Sequence, residues 1–158
     1  MADLTNARTI DRLLAEYGES HQNETNKAVH WVCVPVIVWT VIALFWSLPS
    51  PFGVWWINWA TLLLAASLIY YVILSPALAV GFAAFAAACI YLIVIYEASW
   101  PLPLWQFAIG IFVLAWIGQF WGHKVEGKKP SFLKDVQFLM IGPAWLMSFL
   151  YRRLGIPY

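Results

Sequence analysis

Three histidines, His21, His30 and His123, are the residues of this chain best suited to bind a transition metal. An imidazole offers a neutral nitrogen lone pair to zinc, copper, iron or nickel, and spacing alone does not choose among them. His21 and His30 lie in YGESHQNETNKAVH and His123 lies in GQFWGHKVEGKKP, two polar stretches that flank a long apolar block. A single histidine at such a boundary is commonly an amphipathic surface residue. Three of them, all confined to the two flanks, point instead to one shared centre.

His21 and His30 are nine residues apart. On one straight helix that is about 13 Å of rise and half a turn of phase, so they could not share an ion. A break is therefore required, and Asn23 to Asn26 (NETN) supplies turn- and cap-forming residues for it. Each histidine also follows a polar residue by four, in the pairs Tyr17/His21, Asn26/His30 and Gln119/His123. That spacing places side chains on one helix face, where they could hold the second ring nitrogen of a metal-bound imidazole. Glu126 extends the Gln119–His123 stripe by three residues, with Gly122 and Gly127 as possible interruptions. Lys124, Lys128 and Lys129 suit anionic lipid headgroups.

The elements that position these residues are dictated by composition. Of 158 residues, 63% are hydrophobic and 11% charged, against roughly 45–50% and 25% in soluble domains. The pattern predicts one all-α integral membrane domain over residues 1–158, and the net charge of +1 offers no basic field for nucleic acid. Within residues 1–28, Ile10, Leu13, Leu14 and Tyr17 recur at helical spacing and predict an amphipathic helix from Thr5 to about Ser20. Residues 29–121 predict a four-helix transmembrane bundle, with spans Val29–Leu48, Val54–Leu74, Ala77–Tyr96 and about Pro101–Trp121. Tryptophans such as Trp55, Trp56, Trp100 and Trp105 gather at the predicted ends as an interfacial belt would. Within residues 122–158, Val136–Leu150 is shorter and contains Gly142-Pro143, which predicts a re-entrant or interfacial helical hairpin. Lysines and arginines before the first span and after the fourth place both termini, and all three histidines, on the cytoplasmic side.

The residues also resemble a known family. Tyr17 to Pro35 fits Tyr-x3-His-x4-Asn-x3-His-x4-Pro, and Gln119 to Asp135 fits Gln-Phe-x-Gly-His-x2-Glu-x3-Pro-x4-Asp. Together these are similar to the yeast-type 2-hydroxy fatty acid dioxygenases, small membrane proteins related to the fungal enzyme of phytosphingosine breakdown. Glu24 stands where many relatives carry proline, and Gly127 where many carry lysine. The resemblance implies an iron(II)-dependent enzyme that uses O2 to shorten a 2-hydroxy fatty acid by one carbon. It implies His21, His30 and His123 as Fe2+ ligands, with Glu126 a further ligand or a supporting residue. Tyr17, Asn26, Gln119, Lys124, Lys128 and Asp135 become supporting or substrate-facing positions. It also implies a bacterial inner membrane or, in a eukaryote, the endoplasmic reticulum. Two alternatives stand beside it: another metal-dependent membrane lipid enzyme, hydrolase or hydroxylase, and a non-enzymatic transporter or assembly protein. The near absence of ionisable groups between Val32 and Trp116 weighs against transport.

Overall fold

The structure is a computed structural model that describes residues 8–127 and 132–158, with side chains of the last helix described from Met140 onward. Among the described residues the fold is all-helical: α1 (Thr9–Glu19), α2 (Glu24–Trp46), α3 (Trp59–Leu74), α4 (Pro76–Ser99), α5 (Leu104–Glu126) and α6 (Phe132–Leu154).

Local chemistry sets the boundaries. The Asn23 side chain accepts from the backbone N–H groups of Thr25 and Asn26 and so caps α2. Asn58 and Thr61 form a reciprocal capping box that starts α3. Ser75 ends α3 and caps α4, and Pro76 occupies the first turn of α4, where its missing N–H costs nothing. Gly127, at φ +74°, ends α5 in the left-handed conformation that glycine adopts without strain.

Three helices, α2, α4 and α5, are long and apolar enough to cross a membrane. The expected second span is shorter than Val54–Leu74. Residues 54–57 lie in turns, and α3 has 16 residues, which is about 24 Å of helix against a hydrocarbon core of about 30 Å. The capping box at Asn58 is the physical reason, because it begins the helix there. The helices alternate in direction. Trp46 at the end of α2 donates its indole N–H to Glu97 near the end of α4 (3.2 Å), while Gly122 near the end of α5 packs on Asn26 and Val29 at the start of α2.

The segment expected to fold as a hairpin is one helix. α6 runs through Pro143 without a reversal. A proline removes one ladder hydrogen bond and kinks a helix, but packing can keep the helix continuous. Here Gly142 fits closely against Tyr17 and Val34, and the Tyr71 hydroxyl donates to the Met140 carbonyl beside the weakened turn. α6 lies against the bundle end that carries the histidines: Trp145 packs near Tyr17, and Tyr151 donates to the Ala77 carbonyl at the start of α4 (2.7 Å). Of the amphipathic helix expected from Thr5 to about Ser20, α1 shows Thr9–Glu19, with Ile10, Leu14 and Tyr17 buried, while residues 5–7 lie outside the described residues.

Candidate metal centre

His21 stands in the turn between α1 and α2, His30 in the second turn of α2, and His123 in the last turn of α5. The break that allows this lies at Ser20–Asn23. It sits slightly earlier than the Asn23–Asn26 stretch read from sequence, because Asn23 already caps α2 and Asn26 is helical. His21 and His30 are 3% and 2% exposed, and His123 is half-buried. The three ring centroids are 4.2, 5.1 and 5.3 Å apart. One ligand atom from each ring lies within 4.8 Å of the others, slightly more than twice a metal–imidazole bond of about 2.0–2.1 Å.

Hydrogen bonding fixes what two of these rings present. His21 Nδ1 lies 2.6 Å from the Tyr17 carbonyl and His30 Nδ1 lies 2.9 Å from the Asn26 carbonyl. A carbonyl only accepts, so each Nδ1 carries the proton and each Nε2 presents a lone pair. Those two Nε2 atoms are 2.8 Å apart. Facing lone pairs at that distance repel unless a cation lies between or beside them. A lone proton would place a charge on two rings that are almost fully buried, which is costly. A metal ion would satisfy both nitrogens and draw in His123. The donor set therefore fits a transition metal held by imidazoles.

The four-residue spacing noted in the sequence works through the backbone: for His21 and His30 the carbonyls of Tyr17 and Asn26 do the holding. The Tyr17 ring instead stacks on His21, with centroids 4.2 Å apart and planes 9° from parallel. Trp145 packs beside them, 5.4 Å from Tyr17 and 5.3 Å from His21. Nothing in the sequence pattern singled out Trp145, which reads as one more interfacial aromatic.

Glu126 is brought to the site, but its carboxylate is turned to the His21 turn. Its two oxygens accept from the backbone N–H groups of Gln22 and Asn23 (2.9 Å each) and from the Asn26 amide (3.1 Å). Asn26 also donates to the Ser20 carbonyl (3.3 Å). One carboxylate and one amide thus tie α5, the turn and α2 together. Gln119 lies one turn before His123, buried, its side-chain oxygen without a hydrogen-bond partner among the described residues. Lys124 is exposed at the end of α5. Lys128 lies outside the described residues, as does the side chain of Asp135.

Close approach of α2 and α5 makes the convergence possible. A Cβ on Gly118 would stand 2.8 Å from Cys33 Sγ, and one on Gly122 2.5 Å from Asn26 Oδ1. Small residues four apart let membrane helices touch backbone to backbone; the Gly118–Gly122 spacing carries that signal, whereas read from sequence alone Gly122 is only a possible interruption of the helix.

The model of the Mpo1-like family, described as 2-hydroxy-palmitic acid dioxygenase Mpo1-like, matches residues 7–154. The chain belongs to the Mpo1-like family. That match spans every described helix and all three histidines. No curated protein and no solved structure gives a significant match to the chain.

Proposed function

We propose that His21, His30 and His123 hold one iron(II) ion and that the protein uses O2 to shorten a 2-hydroxy fatty acid by one carbon. The observation that carries this reading is the 2.8 Å approach of two Nε2 atoms whose Nδ1 partners are both carbonyls. The family description names the substrate class, a 2-hydroxy acyl acid. A bound iron(II) would supply redox chemistry with dioxygen and a Lewis acid for a carboxylate and its neighbouring hydroxyl.

The chain's own residues do the rest. The Tyr17 and Asn26 carbonyls fix the tautomer and direction of two imidazoles, which raises their basicity as ligands. Glu126 and Asn26 hold the His21 turn against α5. Tyr17 and Trp145 shield the face of His21 from water. Lys124, with Lys128, would attract the acid's carboxylate to the membrane surface, on the cytoplasmic side by the charge distribution.

Three histidines from a compact set of helices do not supply the carboxylate-rich ligand set of a di-iron bundle, which favours one ion. The test is anaerobic purification with elemental analysis, followed by oxygen uptake and product analysis on 2-hydroxyhexadecanoic acid. One iron per chain and a product one carbon shorter, both lost in His21→Ala, His30→Ala and His123→Ala, are the expected results. Zinc occupancy with hydrolysis and no oxygen uptake, or full activity in all three variants, would overturn the proposal.

A further inference from the structure

A continuous run of aromatic side chains leads from the histidine centre to the surface of the protein. Tyr17 lies flat on the His21 ring, with centroids 4.2 Å apart and planes 9° from parallel. Trp145 lies beside both, 5.4 Å from Tyr17 and 5.3 Å from His21. Phe149 stands edge-on to Trp145 at 4.7 Å, and Trp31 lies 6.3 Å from Phe149. Separations of this size are those of interacting rings. Tyr17 and Trp145 are buried, whereas Trp31 is 39% exposed.

The run draws on three helices. Tyr17 comes from α1, Trp145 and Phe149 stand one turn apart on α6, and Trp31 belongs to α2. Trp31 directly follows His30 in the sequence, yet the imidazole is buried and the indole reaches the surface. Burial alone does not call for Tyr17 and Trp145, because Leu78, Phe82 and Ile93 fill comparably buried positions elsewhere in the core. Tyrosine and tryptophan differ from those residues in one chemical respect: they give up an electron far more readily. Phenylalanine does not, so Phe149 is a bridge between Trp145 and Trp31. Electron tunnelling weakens steeply with distance, and packed rings keep each step short.

A ferrous centre has a use for such a path. Iron(II) that meets O2 without substrate is itself oxidised, two ions and two protons converting one O2 to hydrogen peroxide. Peroxide at the centre attacks the imidazoles that hold the ion unless an easier electron source stands beside them. Tyr17 and Trp145 are so placed against His21.

We propose that Tyr17, Trp145 and Trp31 form an electron path that reduces peroxide at the histidine centre and spares the ligand rings. The inference rests on the function proposed above for its iron ion, and on the ring contacts for its route. Hydrogen peroxide gains two electrons and two protons and becomes two water molecules. Trp145 gives one electron and its indole proton, Tyr17 one electron and its phenol proton, and each becomes a neutral radical. The deficits pass across Phe149 to Trp31, where a small thiol restores the ring with one hydrogen atom per deficit. Two thiols so consumed end as one disulfide, and the sum is peroxide plus two thiols giving two waters and a disulfide.

The probe is hydrogen peroxide, added without fatty acid to the iron(II)-loaded protein in bilayer nanodiscs, with iron content measured on the same samples. Freeze-quench electron paramagnetic resonance detects radicals, and peptide mass spectrometry locates added oxygen. A tyrosyl or tryptophanyl radical is expected, with oxygen added at Trp145 and Trp31 and lost from Trp31 when glutathione is present. Trp55 and Trp100, 73% and 65% exposed, should be spared. Oxidation ordered by exposure instead, Trp55 and Trp100 before Trp31, would overturn the proposal. Trp145→Phe keeps a ring but removes the donor: Trp31 oxidation should fall to the level of metal-free protein, and oxidation should move to His21 and His30. Trp145→Tyr, nearly the same in size, should restore oxidation at Trp31. A packing defect strikes both variants alike, so equal Trp31 oxidation in the two would also overturn the proposal. Oxidation along this path in iron-loaded protein that makes no shortened product would leave the path standing and remove the oxygenase reading. A shortened product with no split between the two variants would do the reverse.

Discussion

The two ends of the helix bundle solve opposite problems. At the end where α2 begins and α5 finishes, His21, His30, Asn26 and Gln119 are withdrawn from solvent, and Glu126 bonds three N–H donors across 100 or more residues of sequence. At the other end, Trp55, Trp56, Trp100 and Trp105 are exposed, and among the described residues Glu97 makes one side-chain bond, to Trp46. The first end gathers polar groups inward and binds His21, His30 and Glu126 to backbone, while the Gln119 side-chain oxygen has no hydrogen-bond partner among the described residues. The second end turns amphipathic rings outward, where a bilayer interface accommodates them. Specific geometry in this chain is concentrated at the histidine end, and the far end serves as an anchor.

Perturbing each end in turn sharpens that contrast. Removing a ring from the centre should have the largest effect. His30→Ala should lower metal occupancy and activity more than about 100-fold, because losing a ligand exceeds the 10–100-fold typical of losing a residue that holds one. Elemental analysis and oxygen uptake report it. Glu126→Gln comes next. It retains an acceptor but brings an amide N–H against N–H donors at the His21 turn, and metal affinity measured by competition with a chelator should fall about 10–100-fold. Glu97→Gln at the far end should leave that affinity unchanged; an equal fall in both would erase the proposed difference between the ends. Gly122→Ala pushes a methyl into Asn26 and should destabilise the fold by about 1–3 kcal/mol, seen as a lower melting temperature with some loss of metal. Asn23→Ala removes the α2 cap at a cost of about 1 kcal/mol, read as faster amide exchange in the first turn of α2. Trp55→Ser, exposed and remote, should change stability by less than about 0.5 kcal/mol and metal binding not at all.

Much of this was legible in the residues themselves. The three histidines converge as the two polar flanks implied, α1 buries the face its spacing marked, and Ser75-Pro76 joins α3 to α4 directly. The failures have identifiable causes. The apolar run from Val54 hid a helix start, although Asn58 and Thr61 carry the capping-box signal three residues apart. Gly142-Pro143 reads locally as a reversal, and only the neighbours Tyr17, Val34 and Tyr71 make it a tolerated kink. The spacing of Tyr17/His21 and Asn26/His30 was visible, but an interval of four fits side-chain and carbonyl partners equally well. Glu126 was expected as a ligand or a supporting residue, but its partners could not be read, because Gln22 and Asn23 offer backbone N–H groups, which every residue except proline possesses.

His21 belongs to no helix. It rides on the short connector Ser20–Asn23, while its two companions belong to long apolar helices. An ion shared by all three would therefore staple the peripheral N-terminal segment to the embedded body. Chelation would release that staple, and limited proteolysis would then nick the connector, so that cofactor loading and resistance to degradation become one property.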